Sequence, residues 1–278
     1  MPTATTFFSK PPDSVSERDE ARFFGQLKTG NDTFKRTAPG RLAKMDRWLI
    51  QLLALAEDRP EDVLDIGISS GVTTLEMAHA LENAGALPRI TGMDRSLSAM
   101  LVDVGARCRV LAEPNGHILQ YDVVGRAIQP WVRRFDYCNG MILVRAMLHL
   151  SLGRRARARL RQGLGTPVAL VSPRVSSNRA ITLIESDITV CDERLRGRFD
   201  LVRAANILNQ HYFSRADLER AVTNVRSYLR GPGAWLLILR TNEDGEHHAS
   251  LMRMDPRGQL GVVGRYGKGS EVEAMFAG

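Results

Sequence analysis

Val63-Leu64-Asp65-Ile66-Gly67-Ile68-Ser69-Ser70-Gly71 is an apolar run that ends in glycines, and its reading decides the fold class. A short apolar run bounded by turn residues reads as a buried strand. The glycines read as a tight turn in which backbone comes close to a ligand. A helix follows, because Thr73 and Glu76 have the spacing of a capping box. Leu75, Ala78 and Leu81 give it an inner face, and Gly85 and Pro88 end it. Arg89 to Asp94 is a second short strand, and Ser98 to Val110 reads as a second helix. Strand, helix, strand, helix predicts a parallel sheet with right-handed crossovers. The expected class is α/β, with a doubly wound, mostly parallel sheet.

Upstream, Leu42, Met45, Leu49, Leu52 and Leu53 make one apolar stripe over Arg41–Ala56, a helical pattern closed by Pro60. Residues 1 to about 40 are polar and mixed in charge, and the first part is expected to be disordered or loosely packed. Downstream, Ile181–Ile188 and Phe199–Val202 read as strands. A helix runs from Ser214 to Arg230, with Leu218, Ala221, Val222, Val225 and Leu229 as its stripe. Gly231-Pro232-Gly233 stops it, and Trp235–Leu239 is a buried strand. The stretch Gly264–Glu271, rich in glycine and charge, reads as a surface turn or a loop over the site. Between the two halves, His117–Val124 reads as a strand and Asn139–Leu160 as one long helix whose second part carries Arg154, Arg155, Arg157, Arg159 and Arg161. Val168–Val171 is a strand stopped by Pro173.

The 278 residues, 44% hydrophobic and 25% charged, suit a folded globular chain with a substantial core. A net charge of +7, supplied by arginine more than lysine, points to an anionic partner without choosing among phosphate, nucleic acid and lipid. The three cysteines, Cys108, Cys138 and Cys191, are scattered, so no disulfide framework or metal site is expected and a reducing, cytoplasmic setting is the simple reading. No secretory signal and no membrane-spanning helix is expected.

The chemistry concentrates at the glycine turn. The helix N-terminus behind it offers unpaired N–H groups that suit a carboxylate as well as a phosphate. Asp94, at the tip of the second strand and about 20 residues beyond the turn, is placed to accept hydrogen bonds from ribose hydroxyls. The alternative for Asp94 is a helix cap. Together the two elements indicate an adenosine-containing ligand. A nicotinamide fingerprint would read G-x-G-x-x-G, which Gly67-Ile68-Ser69-Ser70-Gly71 does not.

From Asp62 to Arg240 the chain resembles the Rossmann-like (class I) methyltransferases that use S-adenosylmethionine (SAM). The matching stretches are Val63–Gly71, Gly92–Arg95, Ser186–Ile188, Phe199–Asn209 and Tyr228–Leu237, in the superfamily's order. The resemblance implies SAM as cofactor. By it, Asp65, Gly67 and Gly71, with Ser69, would hold the methionine part. Asp94, with Arg95 beside it, would serve the ribose, and Asp187 and Ile188 would border the adenine. Asn206 would face the transferring methyl, with His211 and Tyr212 as a base or an acceptor-orienting pair; the alternative for His211 is a cap or surface residue. Asp122, which also ends a possible strand, competes with Asp187; Asp187 is preferred because the Phe199–Asp200 strand follows it at the expected short distance.

The Asp94–Asp187 gap exceeds what that core requires. It is read as an insertion near 112–180 within a domain spanning 59–278, preceded by an N-terminal helical extension over 1–58. The expected activity is direct methyl transfer to a small-molecule or anionic lipid- or sugar-linked acceptor, with specificity in the extension and the insertion. Asn206–Asn209 lacks the Asn-Pro-Pro-Tyr pattern of nucleic-acid amino methyltransferases, which sets nucleic acid aside. The arginines at 154–161 are read either as a solvated helix end or as a contact to an anionic acceptor or a membrane surface. The other functional reading is a non-catalytic SAM-fold binding or scaffold subunit.

Overall fold

The computed structural model describes residues 1–35, 38–105, 107–138, 140–210 and 212–276. The chain forms two compact units, one from Gly40–Arg95 with Asn178–Gly278 and the other from Met1–Pro39 with Ser96–Ser177. Strands and helices are numbered in chain order across both.

The first unit holds a seven-stranded sheet. Its strands are β1 (Asp62–Ile66), β2 (Arg89–Asp94), β8 (Ile181–Glu185), β9 (Leu201–Ala205), β10 (Trp235–Thr241), β11 (His247–Met254) and β12 (Leu260–Tyr266), in the order β12-β11-β10-β9-β1-β2-β8. The strands from β8 to β10 are parallel, and β11 and β12 continue the sheet as antiparallel neighbours. This is the expected α/β class, with an antiparallel edge. The chain builds outward from β1 to β2 and β8, then returns to lay β9 on the other side of β1. Open parallel sheets bind ligands at the carboxyl ends of strands flanking such a reversal.

The alternation of side chains along a strand divides the core. Leu64, Ile66, Val202 and Ala204 pack with Leu218, Ala221, Val222 and Val225 of α8 (Arg215–Tyr228), the stripe read from the sequence. The intervening Asp65 and Arg203 point to the other face, toward α3 (Ala43–Leu55) and α4 (Val72–Asn83). The capping box expected at Thr73 and Glu76 is absent. Gly71, in a left-handed conformation (φ 77°), is the N-cap, and Thr73 is buried one residue inside the helix. Gly264, Arg265 and Tyr266, expected in a loop or turn, close β12.

The second unit is a five-stranded antiparallel sheet in the order β6-β5-β4-β3-β7, with β3 (Ser98–Gly105), β4 (Cys108–Ala112), β5 (Ile118–Val123), β6 (Arg126–Ile128) and β7 (Thr166–Ala169). The helix expected over Ser98–Val110 is therefore a hairpin. Leu97, Met100, Leu101 and Val104 imitate helical period. The same stretch also has the period of two, with Met100, Val102 and Val104 on one face and Ala99 and Leu101 on the other. β-Branched residues and the turn at Gly105 (φ 88°) decide for strands.

The N-terminal residues are not loose. α1 (Ala4–Phe8) and α2 (Glu17–Phe24) pack Phe7, Phe23 and Phe24 against Ala99, Leu111 and Leu119 of this sheet. Phe7 stacks on Phe23 at 4.1 Å. Apolar positions are sparse in this segment, but they are large aromatic ones, and aromatic burial outweighs a polar average. Ser16 and Asp19 cap α2 reciprocally. Buried Glu20 pairs with Arg174 of α7 (Pro173–Ser176).

The sheet's opposite face carries α5 (Met141–Leu148), a π-helical segment His149–Gly153 and α6 (Arg154–Arg161), matching the expected long helix. Position 112, where the sequence reading opens an insertion, is the last residue of β4. The compact unit starts at Ser96, and it takes residues 1–39 with it while α3 stays with the parallel sheet. Among the described residues no helix is long and apolar enough to cross a membrane.

Candidate cofactor and active site

The turn after β1 is built from left-handed backbone: Gly67 at φ 79°, Ser69 at 57° and Gly71 at 77°. The turn is bound to the tip of β2. The N–H groups of Gly67 and Ile68 donate to the Met93 carbonyl at 2.8 and 3.3 Å, and the Ser69 N–H donates to Asp94 Oδ2 at 2.7 Å. A Cβ on Gly67 would lie 3.2 Å from the Ile207 side chain, so the glycine admits a close approach as well as the backbone angle. The first turn of α4 opens directly behind, and Ser70 Oγ is buried there with no hydrogen-bond partner.

Asn206 follows β9 on the other side of β1 and is itself left-handed (φ 58°). Its N–H donates to the Leu239 carbonyl at 2.8 Å, and its Oδ1 accepts from the Thr241 N–H at 2.6 Å. Its Nδ2 is buried and unpartnered. A buried donor left unmade costs about 1–3 kcal/mol, and a strained non-glycine backbone costs about as much again. Both occur at one residue, at the carboxyl end of a strand beside the topological switch. Sequence reading reached Asn206 by resemblance; the unpartnered amide is a property of the fold.

Asp65 is placed differently from the resemblance's implication. It is 2% exposed and faces α3 and α4. Its Oδ1 accepts from Arg203 Nε at 2.8 Å, and its Oδ2 accepts from Arg203 Nη2 at 2.6 Å and Thr74 Oγ1 at 2.7 Å. All three of these donors are the chain's own side chains. Arg203, fully buried, also donates to Asp46 Oδ1 at 3.0 Å and to the Thr73 carbonyl at 3.0 Å. Asp65 and Arg203 are register partners on adjacent strands, which sets the bidentate geometry. Burial disfavours the Arg203 charge, but Asp65 and Asp46 together outweigh it and raise its pKa. The sequence signal for this network was an arginine inside the apolar strand Leu201–Ala205.

Asp46 is the weaker partner. Burial pushes its carboxyl up to about 6, against the pull of Arg203. The folded protein then holds a proton that the unfolded chain has already lost. This contribution to stability is full below the ordinary carboxylate value. It declines as pH rises from about 4 to about 6, and is level above. The shift corresponds to roughly 3 kcal/mol. Asp46→Asn retains the Oδ1 acceptor and removes the charge. The expected result is a variant at least as stable as the parent near neutral pH, with the decline between about pH 4 and 6 flattened in urea denaturation. A loss of more than about 2 kcal/mol at neutral pH would mean that the charge is required.

The remaining sequence-derived positions divide. Asp187 accepts from the Thr189 N–H and hydroxyl at 2.9 and 2.8 Å, and pairs with Arg95 at 3.3 Å, just beyond the tips of β8 and β2. Ile188 is 5% exposed and its side chain packs in the α8 core. Tyr212 is 71% exposed. His211 lies outside the described residues. Asp122 sits in the antiparallel unit, where its Oδ1 caps the β5–β6 turn at the Gly125 N–H; it does not end a strand of the parallel sheet. Among the described residues no group of His, Cys, Asp and Glu is arranged to hold a metal ion.

A cleft of about 450 Å³ opens between the N-terminal end of α3 and the β10–β11 turn, with Arg41, Lys44, His247, His248 and Tyr266 in its walls along with Asp244 and Glu246. Arg41 Nε is buried there without a partner. Burial pushes His247 below its ordinary value, and its Nδ1 meets the Thr241 hydroxyl at 3.0 Å. Thr241 is also the residue whose N–H holds Asn206, so the cleft and the strand ends are joined through one residue.

No family model matches the chain, and comparison with curated proteins gives no match. Solved structures with which it aligns are methyltransferases. The N-methyltransferase NodS from Bradyrhizobium japonicum WM9, in complex with S-adenosyl-L-homocysteine, is 16% identical over 74% of this chain and 65% of its own, with a TM-score of 0.35. The CMeT domain of the citrinin polyketide synthase is 18% identical over 73% of this chain and 35% of its own, at 0.37. An O-methyltransferase family protein from Burkholderia thailandensis is 15% identical over 77% and 41%, at 0.35. The chain thus spans between about a third and two thirds of these proteins' lengths. Identities this low carry no residue roles across.

Proposed function

We propose that the chain is a SAM-dependent methyltransferase whose cofactor lies at the carboxyl ends of β1, β2 and β9. The observation that carries this reading is the convergence there of three features. These are the left-handed turn Gly67–Gly71, the Asp94 carboxylate bound to that turn, and the strained Asn206 with its unpartnered amide. The N–H groups at the start of α4 suit a carboxylate, and Asp94 has the chemistry to accept from ribose hydroxyls. These residues fit the group. When bound, SAM supplies a methyl activated as a sulfonium substituent.

The chain's own part is alignment. Asn206 Nδ2 donates to cofactor or acceptor and holds one against the other, since near-attack geometry is the main contribution an enzyme makes to such a displacement. Asp65 acts from beneath as a positioning residue, tying β9 to α4 through Arg203 and Thr74. The acceptor is a small molecule or an amphiphile with an anionic group. The Arg41–Lys44 side of the cleft supports an anion held next to the strand ends. Methyl-transfer assays with labelled SAM across acceptor classes test the activity. Asp94→Ala is expected to weaken SAM binding by about 1–3 kcal/mol, the scale of a lost hydrogen bond to a charged group, as read by equilibrium dialysis. Unchanged binding would remove Asp94 from the site.

A further inference from the structure

Between Trp131 and Arg161 the chain has eight arginines and a single acid. That acid, Asp136, is turned inward and 3% exposed. Its carboxylate accepts from the Arg133 N–H at 2.7 Å and from Arg145 Nε at 2.8 Å. The turn pinned in this way leaves its neighbours Phe135 and Tyr137 80% and 70% exposed.

The helix that follows seats Leu148 and Ala156, with Val144, Leu152 and Leu160, on the antiparallel sheet. Its outer face should then be polar. It carries instead Leu143, Met147 and Leu150, at steps of four and three residues, which are 73%, 61% and 58% exposed. The stripe runs into Arg154 and Arg155, both exposed, as is Arg134 beside Phe135. A large exposed apolar patch rimmed by charge is a binding surface in an otherwise ordinary fold.

We propose that this surface, formed by residues 132–138 and 140–155, docks on an anionic lipid bilayer. Phe135, Tyr137, Leu143, Met147 and Leu150 enter the boundary between headgroups and acyl chains, and the exposed Arg134, Arg154 and Arg155 meet lipid phosphates. Interleaved apolar and cationic side chains without an outward acid match that boundary. A nucleic acid would leave the apolar stripe wet. A second copy of the chain would bring the same arginines against one another, because a two-fold interface pairs a patch with itself. The surface belongs to the antiparallel unit.

The test is flotation of the full chain with vesicles of phosphatidylcholine alone, and with vesicles in which a third of the lipid is phosphatidylglycerol. We expect flotation with the anionic vesicles, suppressed by high salt. The combined change Leu143→Ser, Met147→Ser and Leu150→Ser should weaken it about tenfold or more without lowering Tm, since these side chains lie outside the core. Removing Arg154 or Arg155 as alanine should weaken it about fivefold each. As a second readout that needs no change to the surface, a solvatochromic label on exposed Cys138, in a chain carrying Cys191→Ser, should shift to the blue with anionic vesicles only. The proposal is overturned if the unaltered chain stays with the soluble fraction at low salt. It is also overturned if the triple change leaves flotation intact, or if sedimentation shows a dimer that the triple change dissolves.

Discussion

Arg203→Met is expected to lower stability by about 3–5 kcal/mol, the largest loss from a single substitution of a charged residue in this chain. The change leaves Asp65 ionisable, 2% exposed and without its bidentate partner, and a buried carboxylate deprived of its cation costs that much. Asp46, already pushed up to about 6, answers by taking up a proton, so the loss falls mainly on Asp65. The double change Arg203→Met with Asp65→Leu should therefore recover most of the deficit, because replacing a buried pair by apolar groups of similar volume is often neutral. Urea denaturation of the parent, both single variants and the double variant measures the coupling. Independent effects, or a single-variant loss below about 1 kcal/mol, would mean that the network does not hold β1, β9, α3 and α4 together.

Gly67→Val should remove cofactor binding from a protein that still folds. At φ 79° a branched side chain meets a backbone penalty of about 1–2 kcal/mol. Its Cβ also arrives 3.2 Å from Ile207, so either the turn or Ile207 must shift. Either movement displaces the Ser69 N–H from Asp94 or narrows the space above the strand ends. We expect SAM affinity to fall about a hundredfold, or roughly 3 kcal/mol, while Tm drops by only a few degrees. Gly67→Ala should fall between the two. Full affinity with reduced stability would assign the glycine to the fold alone.

Much of the parallel sheet was legible because it depends on local signals. The apolar run Val63–Ile66, the glycines at 67 and 71 and the stripe Leu218–Val225 each fix their own element. Ser98–Val110 misled because an apolar pattern on both faces of a strand satisfies helical spacing too, and only pairing with β7 and the second half of the hairpin resolves it. Residues 1–39 misled for a related reason: their partners Ala99, Leu111 and Leu119 lie far along the chain, so average polarity concealed three buried phenylalanines. β11 and β12 went unread because polar His247, His248, Ser250 and Arg253 interrupt the apolar pattern of a strand whose Ala249, Leu251 and Met252 are buried. At the proposed site, the place of Asp94 at the end of a strand was legible from the sequence. The diversion of Asp65 to Arg203 was not, since it depends on a register between strands separated by more than a hundred residues. The unpartnered amide of Asn206 likewise exists only once β9 and β10 are aligned.

The most direct measurement of the central claim is calorimetric titration of the purified chain with SAM, S-adenosylhomocysteine and NAD under the same conditions. The structure's turn at Gly67–Gly71, with Asp94 bound to it, predicts binding of SAM and S-adenosylhomocysteine with dissociation constants of about a micromolar or tighter, and no heat with NAD. Binding of NAD without binding of either sulfur ligand would contradict the account.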